Sequence, residues 1–330
     1  MSHFRWAEPA GGLQRILIRM SSRSLAAACL WATAIAALAQ EASFRTDVQL
    51  VNVSLSVRDA QGHLVPGLTK EDFAVWEDGV RQNISFFSPS SGLPLALGLL
   101  VDGSGSQGDF AKQHRRDLHD FLRTVMTPGD QAFLVGFGNR LKLLSDFTPS
   151  SESIQKALDA YAKGKDEAPR LGPRERRILG TAFYDAIYHS IGERLNAREQ
   201  RRKGLIVFSD GEDNSSAHHM LEAIEVAQMA GVPLFCVRYT GGKETEITAR
   251  NKYGISVMRR IALETGGADF DAVAGDMKEA FAAIGDQLRA SYELAYASSN
   301  PERDGTFRKV TIRTKASALK VRHKSGYYAR

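Results

Sequence analysis

Asp102, Ser104 and Ser106 place three oxygen-bearing side chains at alternate positions of a glycine-rich loop. The loop directly follows an apolar run over residues 95–101, which predicts a buried strand. One carboxylate and two hydroxyls suit a hard divalent cation, because Mg²⁺ prefers oxygen ligands at about 2.0–2.1 Å. This loop is therefore a candidate metal cradle.

Two later residues, Thr181 and Asp210, can complete the cradle. Asp210 follows a predicted strand over residues 205–208, and Thr181 opens a predicted helix over 182–195. Because ligands of open α/β sheets bind at the carboxyl ends of the strands, all five side chains should meet at one edge. We expect Mg²⁺ there, with Mn²⁺ or Ca²⁺ as alternatives.

The mixture of neutral and charged ligands has a chemical consequence. If the hydroxyls bind the ion directly while Asp102 and Asp210 act mainly through water, the cation stays strongly electrophilic. A carboxylate from a protein partner would then be the natural remaining ligand, because two carboxylates against a doubly charged ion leave room for another anion.

Residues 93–291 alternate apolar runs with amphipathic patterns. The helical patterns include Met277, Phe281, Ile284 and Leu288, which recur every three or four residues and predict a helix over 277–292. Apolar strands alternating with helices predict a doubly wound, mostly parallel α/β sheet. The predicted strands cover residues 95–101, 132–137, 141–144, 205–208, 234–237 and 268–270.

The flanking segments, 40–92 and 292–330, have β character. Val51, Val53, Leu55 and Val57 alternate with polar residues, and Asp78-Gly79 predicts a hairpin turn because that turn needs positive φ. Since chains below about 40 residues rarely bury enough surface alone, we expect the two segments to pair into one small β-sandwich.

Residues 1–39 resemble a secretory signal peptide. Basic residues precede an apolar run over 24–39 that ends in Ala37-Leu38-Ala39, and translation could begin at Met1 or Met20. We therefore expect the protein to be exported to the periplasm, cell surface or medium, and to have no integral membrane span after removal of the signal. Cys236 would then be the only cysteine, so the mature chain would have no internal disulfide.

The charge of the chain gives little reason to expect nucleic acid as a partner. The formal net charge of +5 falls to +2 without residues 1–39, leaving 39 basic and 37 acidic residues. Residues 163–179 and 241–254 have no regular pattern, and residues 198–203 are typical of the solvated end of a helix. Six basic residues in the first of these segments could steer an acidic partner toward the metal: Lys163, Lys165, Arg170, Arg174, Arg176 and Arg177.

A metal-assisted hydrolase is the main alternative, and it would need a base to activate water. His114, His119 and His189 fall on predicted helices away from the cradle. His218-His219 is the only zinc-type pair near Asp210, but adjacent helical residues point about 100° apart. Neither serine lies in a nucleophile elbow. A structural envelope scaffold with a vestigial site is the other alternative.

The five ligand positions resemble the metal-ion-dependent adhesion site (MIDAS) of von Willebrand factor A-type (VWFA) domains. Residues 180–187 and 205–213 also resemble that family, and the likeness covers residues 94–290. The flanking segments, with Glu77-Asp78-Gly79 and Gly326-Tyr327-Tyr328, are similar to an exported bacterial VWFA-related family first described in acidobacteria. The resemblance implies divalent-metal-dependent protein binding in adhesion or complex assembly, and it implies no catalysis.

Overall fold

A computed structural model describes residues 50–89, 92–172, 180–198, 201–241, 248–289 and 292–330. These residues all belong to one compact unit, which spans Gln49–Arg330. The predicted signal peptide over residues 1–39 lies outside the described residues.

The described residues form fourteen strands, and their bounds define the sheets. The strands are β1 (Leu50–Arg58), β2 (Phe73–Glu77), β3 (Val80–Gln82), β4 (Ile84–Pro89), β5 (Leu95–Asp102), β6 (Gln131–Phe137), β7 (Lys142–Thr148), β8 (Arg202–Ser209), β9 (Leu234–Arg238), β10 (Ala268–Asp271), β11 (Tyr292–Ala297), β12 (Phe307–Thr314), β13 (Lys320–His323) and β14 (Gly326–Tyr328).

Six α-helices lie between the strands of the described residues. They are α1 (Ala111–Val125), α2 (Ser151–Ala162), α3 (Phe183–Ser190), α4 (Met220–Ala230), α5 (Ala249–Thr265) and α6 (Met277–Arg289). Two 3₁₀ turns, Lys70–Asp72 and Gly105–Phe110, and a π-helical turn, Ile191–Leu195, extend this set.

The central sheet has the strand order β10-β9-β8-β5-β6-β7. Its strands are parallel except for the edge strand β7, which pairs antiparallel with β6. Every residue of β5 is buried, as expected for a central strand covered on both faces. Alternate residues of β5 enter two separate cores: Leu100 packs with α3, α4 and α5, whereas Leu99 packs with α1, α2 and α6.

Two four-stranded sheets, β13-β1-β11-β4 and β14-β12-β2-β3, flank this domain. Both combine strands from the two ends of the chain: β1 pairs with β11 and β13, and β2 pairs with β12. Their facing side chains, including Val53, Val75, Leu294 and Ile312, form a third core. The predicted fold class, a doubly wound sheet with a small β-sandwich made from both flanking segments, is confirmed.

The predicted hairpin turn forms at Asp78-Gly79, where φ is +48° and +85°. Its second strand is the short β3. Strand β4, which follows β3 along the chain, pairs with β11 in the opposite sheet.

Three local predictions are wrong. Residues 249–254 belong to helix α5, which begins after the N-cap Thr248, whose side chain accepts a hydrogen bond from the Asn251 amide. Helix α6 ends at Arg289, and Tyr292 opens strand β11. Residues 202–203 begin strand β8, and Arg202 is buried, with its guanidinium donating to the Leu288 carbonyl.

Candidate functional site

Strand β5 ends in Asp102, whose side chain is buried and held from two directions. The Ser104 amide donates to Asp102 Oδ1 over 2.9 Å, and the Ser209 hydroxyl donates to Oδ2 over 2.6 Å. The Gly103 amide donates to the Phe137 carbonyl over 2.7 Å, so the loop turns directly over the end of β6. An added Cβ at Gly103 would lie 2.3 Å from the Tyr161 hydroxyl, which explains the glycine there.

A chain of polar contacts connects this loop to Asp210, 104 residues beyond Ser106. Ser104 Oγ and Ser106 Oγ lie 3.1 Å apart, and Ser106 Oγ donates to Asp210 Oδ2 over 2.7 Å. The Glu212 amide donates to Asp210 Oδ1 over 3.0 Å. The ends of β5 and β8 thus bring four of the five predicted oxygen ligands together.

Thr181 lies between the two loops that carry the other four ligands. Its amide donates to Asn214 Oδ1 over 2.7 Å, and its carbonyl accepts from the Asn214 amide over 3.1 Å. The next amide, that of Ala182, donates to the Gly138 carbonyl, and Gly138 packs against Ser104. Thr181 therefore stands at the same edge of the sheet, one residue before the N-cap of α3.

Gln107 completes the polar network and was not among the predicted residues. It is buried, and its side-chain amide donates to Asp210 Oδ2 over 2.8 Å. Ser209, which donates to Asp102, directly precedes the predicted ligand Asp210. Neither the type nor the spacing of Gln107 distinguishes it from other polar loop residues, so the sequence does not predict its contact with Asp210.

The electrostatics of the loop are those of a buried carboxylate near a second carboxylate. Burial, together with the nearby charge of Asp210, raises the pKa of Asp102 to about 6. Hydrogen bonds from Ser209 and Ser104 lower this pKa only in part. A divalent cation would stabilise the ionised form of Asp102.

The donor set fits a hard divalent ion. Two carboxylates and three hydroxyls are all oxygen ligands, which match Mg²⁺, Mn²⁺ or Ca²⁺ better than a softer metal. The exposed Ser106 and half-buried Ser104 leave the outer side of this loop open to solvent. The arrangement can therefore hold an ion and present one of its faces to a partner.

His114 and His119 lie on α1 and His189 lies on α3, so all three are on helices as predicted. His114 is buried against the Tyr239 ring, at a centroid distance of 4.1 Å, and burial lowers its pKa to about 4. Its low pKa makes this imidazole a weak base. His189 and His218 come within 5.3 Å of each other, centroid to centroid, whereas the prediction considered His218 only with His219.

Among the described residues, no helix is both long and apolar enough to cross a membrane.

The family described as the von Willebrand factor type A domain matches residues 97–274. None of the curated proteins compared with the chain matches it.

Several solved structures are similar to the chain. An aerotolerance-related membrane protein from Bacteroides fragilis is 14% identical, with coverage of 59% of this chain and 98% of its own and a TM-score of 0.45. Manganese-loaded TRAP protein from Plasmodium vivax is 16% identical, with coverage of 78% and 99% and a TM-score of 0.44. Proximal thread matrix protein 1 from mussel byssus, with a zinc-occupied MIDAS motif, is 15% identical, with coverage of 64% and 48% and a TM-score of 0.45.

The family match spans just over half of the chain, and it includes the ends of β5 and β8 and the residues before α3. The predicted recognition is therefore confirmed: the chain belongs to the von Willebrand factor type A domain family.

Proposed function

We propose that this protein binds a partner protein through a divalent cation held by Asp102, Ser104, Ser106, Thr181 and Asp210. The observation that carries the proposal is the contact chain from Ser104 through Ser106 to Asp210. It joins distant parts of the sequence through oxygen atoms alone. Membership of the von Willebrand factor type A domain family supports a binding role, because these domains are typically interaction modules.

Mg²⁺ is the proposed ion, with Mn²⁺ or Ca²⁺ able to replace it. Asp102 is buried beneath the loop, whereas Ser106 is exposed at its outer side. The protein side of the ion would thus carry the charge-balancing carboxylates, and the solvent side would remain available. An acidic side chain of the partner fits that open side because it supplies a hard anionic oxygen.

The proposed role is binding in adhesion or complex assembly, outside the cytoplasm. Export is supported by the signal-like pattern of residues 1–39. A hydrolase would need a base beside the ion, and the pKa of about 4 makes the buried His114 a poor one. The partner is defined here only by its chemistry, an exposed Asp or Glu side chain that can reach the loop of Ser104 and Ser106.

The first test is a calorimetric titration of the full chain with Mg²⁺, Mn²⁺ and Ca²⁺. Asp102→Ala should abolish Mg²⁺ binding while leaving the circular dichroism spectrum unchanged. Asp109→Ala is the matched control, because it removes an exposed carboxylate from the adjacent 3₁₀ turn and should bind Mg²⁺ as the wild type does.

The second test is affinity capture from a native envelope extract, with and without EDTA. Capture by the wild type and by Asp109→Ala should be lost in EDTA and restored by excess Mg²⁺, and Asp102→Ala should capture nothing under either condition. Undiminished Mg²⁺ affinity in Asp102→Ala, or a captured partner indifferent to EDTA and to this substitution, would contradict the proposal.

A further inference from the structure

A second group of potential metal ligands lies one helical turn beyond Thr181. Asp185, His189 and His218 each offer one ligand atom, and these atoms lie within 4.8 Å of one another. Asp185 and His189 are four residues apart on α3, so they share one face of that helix. The three side chains are only 1%, 13% and 22% exposed, respectively.

His189 is oriented as a metal-binding histidine usually is. Its Nδ1 lies 3.0 Å from Glu193 Oε1, which fixes the ring and leaves Nε2 for another partner. Nε2 is buried, and it has no hydrogen-bond partner among the described residues. Metal-ligating histidines commonly donate their second ring nitrogen to a carboxylate in this way. An added Cβ at Gly172 would lie 2.8 Å from the His189 ring, so close packing also holds the ring.

The other two members of the cluster are also held in place. Asp185 Oδ1 accepts from the His218 amide over 2.9 Å and lies 2.7 Å from His218 Nδ1. The His218 ring stacks on Tyr188 with a centroid distance of 3.7 Å. The loop before His218 is tied to the start of α3, where the Phe183 amide donates to Asp213 Oδ1 over 2.8 Å. The cluster thus rests on two connected, ordered segments.

We propose that Asp185, His189 and His218 form a second metal site, selective for Zn²⁺ or a similar transition-metal ion. Two imidazole nitrogens and one carboxylate oxygen form a common zinc ligand set, with water completing the coordination. Neighbouring ligand atoms around tetrahedral Zn²⁺ at about 2.0–2.1 Å lie about 3.3 Å apart. The three ligand atoms lie within 4.8 Å of one another, so they would have to approach by up to about 1.5 Å when Zn²⁺ binds.

The site is chemically distinct from the all-oxygen site of the proposed function. Imidazole nitrogen suits Zn²⁺, whereas carboxylate and hydroxyl oxygen suit Mg²⁺. Glu193 acts as a positioning residue, because it contacts the ion only through the His189 ring. The inference does not depend on the proposed function, and the two can be tested separately.

Zinc binding is measured on the full chain carrying Asp102→Ala, so that the first site does not contribute. The probe is Zn²⁺ titrated against a chromophoric zinc chelator, with millimolar Mg²⁺ present. We expect about one equivalent of Zn²⁺ to bind. Loss of a residue that only orients a metal ligand typically weakens metal affinity by about 10- to 100-fold. Adding His189→Gln or His218→Gln removes a ligand itself, so we expect each to weaken Zn²⁺ affinity by more than that. His119→Gln, which alters an exposed histidine of α1, is the matched control and should change nothing.

Two further measurements distinguish a zinc site from a structural cluster. Glu193→Gln should weaken Zn²⁺ binding by about 10- to 100-fold while the protein stays folded. Co²⁺ should give the intense visible absorption of a tetrahedral nitrogen–oxygen site, and His189→Gln should remove it. Asp185→Asn is not decisive, because Asp185 also holds the Ala217 and His218 amides.

The proposal is overturned if the Asp102→Ala protein binds no Zn²⁺. It is equally overturned if the two histidine substitutions leave zinc affinity unchanged in proteins with an unaltered circular dichroism spectrum. Failure of Mg²⁺ binding in the wild type would contradict the proposed function alone, since the zinc titration does not use that site.

Discussion

Asp210 receives hydrogen bonds from two side chains, and only one of them could be predicted. Ser106 belongs to the alternating Asp-x-Ser-x-Ser pattern, whose residue types and spacing indicate a cation cradle. Gln107 donates to the same oxygen, Asp210 Oδ2, but nothing in the sequence separates it from other polar loop residues. The proposed ligands could be selected from the sequence because their chemistry and spacing are distinctive. The role of Gln107 could not be predicted, because its contact with Asp210 forms only in the folded chain.

Gln107→Leu should weaken Mg²⁺ affinity by about 10- to 100-fold, because Asp210 would lose the donor that fixes one of its oxygens. Calorimetric titration with Mg²⁺ measures the change. Gln113→Leu is the matched control: Gln113 donates to the Ala272 carbonyl and has no contact with Asp210, so its loss should spare Mg²⁺ affinity. Equal Mg²⁺ affinity in Gln107→Leu and the wild type would remove Gln107 from the site.

At the scale of elements, the strands were more predictable than the helices. The strands of the central sheet are buried on both faces, so in the sequence they are nearly continuous apolar runs that predict a strand directly. Helix α2 was not predicted because it buries only Ile154 and Leu158. Helix α5 buries Met258 and Ile261 but leaves Tyr253 62% exposed, which blurs its apolar stripe.

Helix α5 supports the site through a close backbone contact at Gly254. An added Cβ there would lie 2.4 Å from the Asp210 carbonyl oxygen. Gly254→Ala should therefore lower the free energy of unfolding by about 1–3 kcal/mol, despite the better helix propensity of alanine. It should also lower Mg²⁺ affinity, because relief of the clash displaces Asp210. Urea unfolding and calorimetry measure the two effects.

The control for this prediction is Gly192→Ala in the π-helical turn, where an added Cβ meets nothing within 4 Å. There alanine should raise the free energy of unfolding by up to about 1 kcal/mol and leave Mg²⁺ affinity unchanged. A higher free energy of unfolding in Gly254→Ala than in the wild type would contradict the prediction, because it would show that α5 can move away from Asp210 without loss of stability.

At the scale of the whole molecule, the sandwich and the α/β domain are joined by buried polar contacts. Lys324 is only 7% exposed, and its Nζ donates to the Gln228 carbonyl over 2.8 Å. The Ser325 amide donates to the Glu264 carbonyl over 2.9 Å, so the segment between β13 and β14 holds the ends of α4 and α5. Pairing of the flanking segments was predicted because each is too small to bury a core alone, whereas this junction depends on tertiary contacts that no local pattern encodes.

Lys324 gives the junction a pH dependence, because burial lowers its pKa to about 8 from the ordinary value of 10.5. Between pH 8 and 10.5 the unfolded chain holds a proton that the folded chain has released, so stability rises with pH in that window. The advantage of the wild type over Lys324→Met should grow by up to about 1.4 kcal/mol per pH unit, as measured by urea unfolding from pH 7 to 10.

Lys320→Met, which changes an exposed lysine of β13, is the matched control for the pH series. A wild-type advantage over Lys324→Met that stays constant across pH 7 to 10 would mean that Lys324 keeps its proton in the folded protein.

Strand β5 runs from the sandwich side of the molecule to the proposed cation, and this has a mechanical consequence. Leu95 follows the linker from β4, and Asp102 stands at the far end of the strand, roughly 23 Å away. If a captured partner pulls on the ion while the N-terminal flanking segment is tethered, tension travels lengthwise along β5. Its ladders to β6 and β8 would then be loaded in shear, with many hydrogen bonds sharing the force.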